Sequence, residues 1–290
     1  MRIPVAVCAL AVLLAVTMRA QVPQLPTEIS SIRHNSGESV TPYFEGWIRN
    51  ANGTFDLVFG YFNRNFAQEF SIAAGPDNFV EAPSQSSGRS VDQGQPTYFM
   101  PRRQRYVYRV HVPADFGQKE VVWSVTANGR TERAYGSLIP AEEITDRVVM
   151  TNGNYDPAVN DPNKPPSITI APLGPAVVGN PVTLTAIVTD DGLPKPRRPA
   201  TRVDPKAVTA GFGGQVNGSG TPPPQGLTVK WLHYSGPGKV TFGHTGTLQV
   251  ANGQAITTAT FAEPGTYKLI AVAEDAGHLS TRIDVIVKIQ

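Results

Sequence analysis

LTVKWLHYSGPGKVTF, residues 227–242, TFAEPGTYKLIAVAEDAG, residues 260–277, and the closing IDVIVKIQ, residues 283–290, decide the fold. In the first stretch Leu227, Val229 and Trp231 share one face while Thr228 and Lys230 share the other, the alternation of a half-buried strand. In the second, Gly265-Thr266-Tyr267 forms a Gly-x-Tyr corner, and Leu269 follows the tyrosine by two residues. An antibody domain carries its second cysteine there, and Trp231 stands where the strand-C tryptophan packs on the core. Working outward, Val182, Leu184, Ala186 and Val188 alternate as the preceding strand B. Leu184, Trp231 and Leu269 thus replace Cys, Trp and Cys, and the stretch reads as the second half of an immunoglobulin-type β-sandwich. Such a sandwich serves adhesion, ligand binding and pure spacing alike, so the fold names no function.

The Trp231 strand, the Ser-Gly-Pro-Gly turn at 235–238 and the Pro-Gly-Thr-Tyr corner at 264–267 together resemble the PKD-type, Ig-like repeats of bacterial secreted and surface proteins. The resemblance covers the strands from Ser167 to Asp191 and from Leu227 to Gln290. It departs from the PKD pattern after the tryptophan, where an aspartate and a Gly-Asp-Gly turn usually follow; here His233, Tyr234 and Ser235 stand instead. The resemblance implies a non-enzymatic, extracellular module and names no ligand.

Residues 1–20 read as a secretory signal: Arg2 supplies the charge, Val5–Val16 the apolar run and Ala20 a small residue before a cut at Gln21. The apolar run is shorter than the ~20 residues of a membrane span, so the mature chain is expected to have none. The plainer alternative is an uncleaved anchor, with Met18 and Arg19 as the features in its favour. Cys8, the only cysteine, lies inside this leader, leaving no disulfide or thiol chemistry for the mature chain. A cysteine-free secreted chain fits a bacterial envelope, so the expected location is secreted or periplasmic. Of the 25 Lys and Arg, Arg2 and Arg19 fall in the leader, leaving 23 against 23 Asp and Glu. That balance argues against nucleic acid as a partner, since phosphate binding needs a basic surplus.

Residues 21–40 are polar and aperiodic, a flexible arm. From residue 41 to 150 the chain reads as a first antiparallel sandwich, with strands at Tyr43–Ile48, Thr54–Asn63, Gln68–Ala74, Arg105–Pro113, Glu120–Ala127 and Arg130–Leu138. Asn52-Gly53 and Asn128-Gly129 predict type I′ hairpins, because both residue types tolerate positive φ. Gly75–Gln95 reads as loops, and Ala141–Met150 as a short helical turn. Residues 151–166, rich in Pro, Asn and Gly, read as a semi-rigid linker. The Ig-like domain follows over 167–290, interrupted at 193–226 by a long Pro- and Gly-dense insertion, expected to be exposed and open to proteolysis near Arg197, Arg198 or Arg202. The whole is an all-β chain of two antiparallel β-sandwich domains in tandem.

Catalytic signatures are absent from the sequence: it has no nucleophile elbow, no His-Glu-x-x-His, no phosphate loop and no dinucleotide fingerprint. His34, His111, His233, His244 and His278 never fall at metal-ligand spacing and read as surface or packing residues. Glu45 and Asp56 could face each other across the first hairpin and act on a glycoside, or be ordinary solvent-side strand residues. An aromatic and polar set suits a sugar or peptide ligand: Tyr43, Trp47, Tyr61, Asn63, Arg64, Arg102 and Arg103, beside Phe62, Asn65, Tyr98 and Phe99. The competing reading makes the rings core and the arginines loop supports.

A second set lies where the domains meet: Asp156 and Asp161 from the linker, Asp190 and Asp191 ending strand B, Glu274 and Asp275 ending strand F. Calcium, which takes six to eight oxygens, is the ion such a cluster would hold, fixing the angle between domains. Solvated turn-forming acids are the alternative. No other cofactor is expected. The reading is a non-catalytic binding or architectural protein that contacts a protein or glycan at the cell envelope. Its rival is a carbohydrate-binding or glycan-cleaving protein with its active surface on the first domain.

Overall fold

The computed structural model describes residues 33–83, 92–195 and 226–290. The leader, most of the arm and the body of the 193–226 insertion, with Arg197, Arg198 and Arg202, lie outside the described residues. Within the first sandwich, β1 (Val40–Arg49), β2 (Phe55–Asn63) and β6 (Arg102–Val112) form one antiparallel sheet with β2 at its centre. It faces a second sheet of β4 (Asn78–Glu81), β7 (Val121–Ala127) and β8 (Arg130–Gly136), and the short pair β3 (Phe70–Ser71) and β5 (Tyr98–Phe99) closes one end. Inward residues alternate along each strand: Leu57, Phe59 and Tyr61 on β2, Tyr108 and Val110 on β6, Val121, Trp123 and Val125 on β7.

This core is aromatic. Trp123 is packed edge-on by Phe59 and Tyr108 and lies flat against Phe99, at ring distances of 5.6–6.3 Å. Aromatic rings bring polar handles, and here buried amides satisfy them. The Trp123 Nε1–H donates to Asn78 Oδ1 at 3.0 Å, while Asn78 Nδ2 donates to the carbonyls of Ile72 and Pro96. Asn78–Glu81 is therefore a strand where the sequence reads as loop: two adjacent buried residues, Phe79 and Val80, give no alternation to detect. Two further expectations are corrected. The third strand shrinks to Phe70–Ser71. The Asn52-Gly53 turn has positive φ only at Gly53, because Arg49 pairs with Phe55 across a five-residue loop in which Asn52 Oδ1 accepts from the Thr54 N–H at 3.1 Å. Asn128-Gly129 does take positive φ at both residues, as a type I′ turn requires.

The second sandwich has one sheet in the order β9 (Ser167–Ile170), β10 (Val182–Thr189), β14 (Gln254–Phe261), β12 (Val240–Phe242). The other runs β16 (Ser280–Ile289), β15 (Gly265–Glu274), β11 (Thr228–Ser235), β13 (Thr247–Gln249). Leu184, Tyr267 and Leu269 are fully buried and Trp231 nearly so, in one aliphatic-rich core. Tyr267 makes the corner contact of an Ig-type domain, its hydroxyl donating to the Glu263 carbonyl four residues upstream at 2.9 Å. Its ring lies against Gly236, where φ is +151° and any Cβ would strike the ring, so only glycine serves there.

Residues 34–290 form one compact unit. The linker is not a free spacer. α1 (Asp146–Met150) places Arg147 so that its Nη1 donates to the carbonyls of Asn160 and Asn163 at 3.0 and 3.1 Å. α2 (Pro157–Asn160) occupies the linker itself, and the buried Asn160 and Asn163 reach the second sandwich through Gly277 O and Asp275 Oδ2, both at 2.8 Å. The last part of the arm is docked as well: the carbonyls of His34 and Asn35 accept from Phe66, Ala67 and Gln68.

Candidate functional site

The aromatic and polar set expected to bind a ligand does not converge. Trp47 and Tyr61 are core, the Trp47 Nε1–H donating to Ile139 O and the Tyr61 hydroxyl accepting from the Met100 N–H. Asn63 is buried and structural: Nδ2 donates to Gln68 O and Phe99 O, and Oδ1 accepts from Asn65. Arg102 lies over the rings of Phe62 and Phe66 at the end of β6, and Arg64 sits 4.0 Å from Glu38. Of the set only Tyr43 and Arg103 stand together, an exposed ring with a half-buried guanidinium 4.0 Å from its centroid.

The two carboxylates proposed for glycoside chemistry are each neutralised locally. Glu45, at a bulge in β1, pairs with Arg103 at 2.8 Å; burial raises its pKa against the opposing pull of Arg103, Arg105 and the Tyr106 backbone. Asp56 is bound by His111 at 2.9 Å, Asn50 at 3.1 Å and Arg109 at 3.5 Å. Burial alone would raise its pKa, but these partners outweigh it and the carboxyl is held low. Neither is placed as a raised acid beside a free base.

At the junction, all six expected calcium ligands have local partners. Asp156 caps α2 through the Ala158 N–H, and Asp161 accepts from the Tyr155 hydroxyl. Asp190 and Asp191 accept backbone N–H groups of Gly192, Leu193 and Lys164. Glu274 meets His278, and Asp275 is enclosed by Asn163, Gly277 and Leu279. Among the described residues no group of three or more His, Cys, Asp or Glu has the geometry to hold a metal ion. The correction has a simple cause: short acidic side chains at turns bind the nearest backbone donors.

What the structure builds instead is a joint. The outer face of the β11–β15–β16 sheet packs on the β5–β6 corner of the first sandwich. Tyr98 stacks on His233, ring centroids 3.9 Å apart, and Met100 packs on Leu232, Tyr234 and Ile270. Thr97 N–H donates to Tyr234 O at 3.1 Å, and the Tyr234 hydroxyl donates to Gly94 O at 2.5 Å. Tyr98 also donates to Glu69, which pairs with Lys239 of the second sandwich at 2.9 Å. His233 is buried, and neither ring nitrogen makes a hydrogen bond of good geometry. Burial pushes its pKa down to about 4, with the Ser235 backbone and Glu69 opposing. His233 and Tyr234, two of the three residues that depart from the PKD pattern, are therefore joint residues.

No family model matches the chain, and no curated protein matches it. Solved structures do align with it, among them the following three. The D00-D0 domain of intimin has 12% identity, covering 87% of this chain and all of that one, with a TM-score of 0.26. The fibronectin(III)-like modules of Clostridium thermocellum CbhA have 11% identity over 87% of this chain and 94% of theirs, with a TM-score of 0.25. A conjugative transposon lipoprotein from Bacteroides eggerthii has 16% identity over 42% of this chain and 95% of that chain, with a TM-score of 0.26. Alignments this loose carry no argument. Strand order, the buried Trp231 and the Tyr267 corner are what make the second domain Ig-like.

Proposed function

We propose that this chain is a non-catalytic, envelope-exported module of the PKD type, whose two sandwiches act as one rigid body presenting a contact surface to a protein or glycan. The observation that carries the reading is the joint: a stacked Tyr98–His233 pair, an apolar belt and inter-sandwich hydrogen bonds. A joint that buries aromatic rings and pairs backbone groups fixes orientation, which suits an architectural or adhesive role more than a flexible string. The satisfied state of Glu45 and Asp56 supports the non-catalytic part of the reading. No helix among the described residues is long and apolar enough to cross a membrane. The test is capture by the tagged, full-length protein against envelope fractions and a glycan array, alongside assay of glycoside turnover. Retention of a specific envelope component without turnover is expected; turnover lost in Glu45→Gln would overturn the reading.

A further inference from the structure

A cavity of about 190 Å³ lies between the two sandwiches, and its walls carry more cations than anions. One wall is a single register row across the β13–β11–β15–β16 sheet: Thr247 pairs with Lys230, Lys230 with Val272, and Val272 with Arg282. Lys230 and Arg282 therefore flank Val272 on the outer face, two cations on one row. The opposite wall is the β6 bulge. Between the Phe59–Tyr108 and Tyr61–Gln104 pairs only Gly60 stands opposite three residues of β6, a bulge that buries Tyr106 and leaves Arg105 exposed. Gly60 is required beneath the bulge, because a Cβ there would collide with the Glu45 carboxylate and the Gln104 carbonyl. Arg103 and Arg105 line the cavity from this side.

These charges are poorly answered. Among the described residues Arg105, Lys230 and Arg282 have no carboxylate within ion-pair distance; Glu274, the one carboxylate in the wall, bonds His278 at 2.8 Å and offsets only part of the charge of Lys230 and Arg282. Arg103 gives one nitrogen to Glu45, but its Nη1 is buried with no hydrogen-bond partner. Arg282 spends Nη1 on the Tyr106 carbonyl, a bond that crosses the joint at 2.7 Å. Lys230 is an exposed residue, yet lost hydration and the neighbouring Arg282 lower its pKa, with Glu274 opposing. Like charges gathered from two bodies into one small cavity oppose the joint's closure unless an anion lies between them. Planar guanidinium forks and an ammonium with free donors are the groups that bind oxyanions. Gln104 and Asn152, and Ser280 on the β16 side, add neutral polar groups to the lining.

We infer that this inter-sandwich cavity is a binding site for a doubly charged oxyanion, phosphate or sulfate, free or borne on a small hydroxylated molecule, which bridges Arg103 and Arg105 of one sandwich to Lys230 and Arg282 of the other. The cavity lies below the ~300–1,000 Å³ of drug-sized pockets, so the bound part is compact. Bridging makes the ligand a clamp: it is bound by the closed joint and stabilises it. The inference goes beyond the proposed function and needs only that the joint be closed, which the titration of His233 reads separately.

The test is calorimetric titration of the full-length protein at low salt with inorganic phosphate, inorganic sulfate, glucose 6-phosphate and neutral glucose, with melting temperatures taken in parallel. Binding of at least one anion, none of glucose, and a melting temperature that rises with the anion are expected. Tighter binding of glucose 6-phosphate than of inorganic phosphate would assign the sugar-borne form; equal binding would assign the free anion. Lys230→Gln, at an exposed residue, and Arg105→Gln, from the opposite sandwich, should each weaken binding tenfold or more while folding is retained. Lys230→Arg should preserve it. No binding of any anion up to about 10 mM, well beyond a millimolar Kd, would overturn the site. An effect of Lys230→Gln without one of Arg105→Gln would overturn the bridging.

Discussion

The two sandwiches solve the same problem with different materials. Each builds a core around a buried tryptophan with no disulfide, but Trp123 sits among Phe59, Phe99 and Tyr108 with its indole N–H bonded to Asn78, whereas Trp231 sits among Leu, Val and Ala with its Nε1 unpartnered. In the first body, buried polar groups specify the packing. In the second, aliphatic alternation does so, and a single hydroxyl, that of Tyr267, pins the corner. A core that depends on amides is more exposed to single polar substitutions, because each loss orphans several partners at once.

The largest expected effect is truncation of either tryptophan. Trp123→Ala and Trp231→Ala should each cost ~3–5 kcal/mol, read from denaturant unfolding of the full-length protein. The two should part on conservative change. Trp123→Phe strands the Asn78 oxygen and should cost distinctly more than Trp231→Phe, which removes an N–H that already lacks a partner. Equal costs would erase the contrast between the cores. Next comes Tyr98→Ala, which loses the stack on His233 and the bond to Glu69, at ~3 kcal/mol for a buried ring. Its signature is a loosening between bodies: if the joint couples them, the single unfolding transition should split in two.

Asn78→Ala should cost ~1–3 kcal/mol, since it frees the Trp123 N–H and the Ile72 and Pro96 carbonyls together. The same substitution at Asn154, a half-satisfied surface amide of the linker, should lie within about 0.5 kcal/mol of neutral. The smallest effect is expected from calcium. With Asp156, Asp161, Asp190, Asp191, Glu274 and Asp275 each bound to its own local donor, millimolar calcium should leave the melting temperature unchanged. A rise of several degrees would show the carboxylates rearranging around the ion.

The same difference explains what could be read from the sequence. Strict alternation in Val182–Thr189 and Thr228–Trp231, with the Gly265–Tyr267 corner, made the second sandwich legible. The first was legible only in part, because bulges at Glu45 and at Arg105–Val107 break the period and Asn78–Glu81 buries consecutive residues. The ring set around Tyr43 and Trp47 dissolved because alternation puts Trp47 and Tyr61 inward. The basic cavity was not legible at all: Lys230 looks like any solvent-side strand residue until register sets it in one row with Arg282, 52 positions later, and the β6 bulge brings Arg105 opposite. His233 read as a surface or packing residue where the chain departs from the PKD pattern, and its meaning came from Tyr98 of the other body.

The central claim is that the two sandwiches are closed on each other, and His233 reports it directly. Its folded pKa is depressed to about 4, against ~6.5 in water, so the unfolded chain binds a proton that the closed joint refuses. Stability from this ring is therefore fully present above about pH 6.5 and is lost as the pH falls toward 4. The measurement is an NMR titration of the histidine rings in the full-length protein, with His233 assigned by comparison with His233→Gln. A closed joint keeps the His233 ring neutral to about pH 4, with the midpoint moving toward 6.5 in Tyr98→Ala. A midpoint near 6.5 in the unaltered protein would place the ring in water and contradict the closed joint.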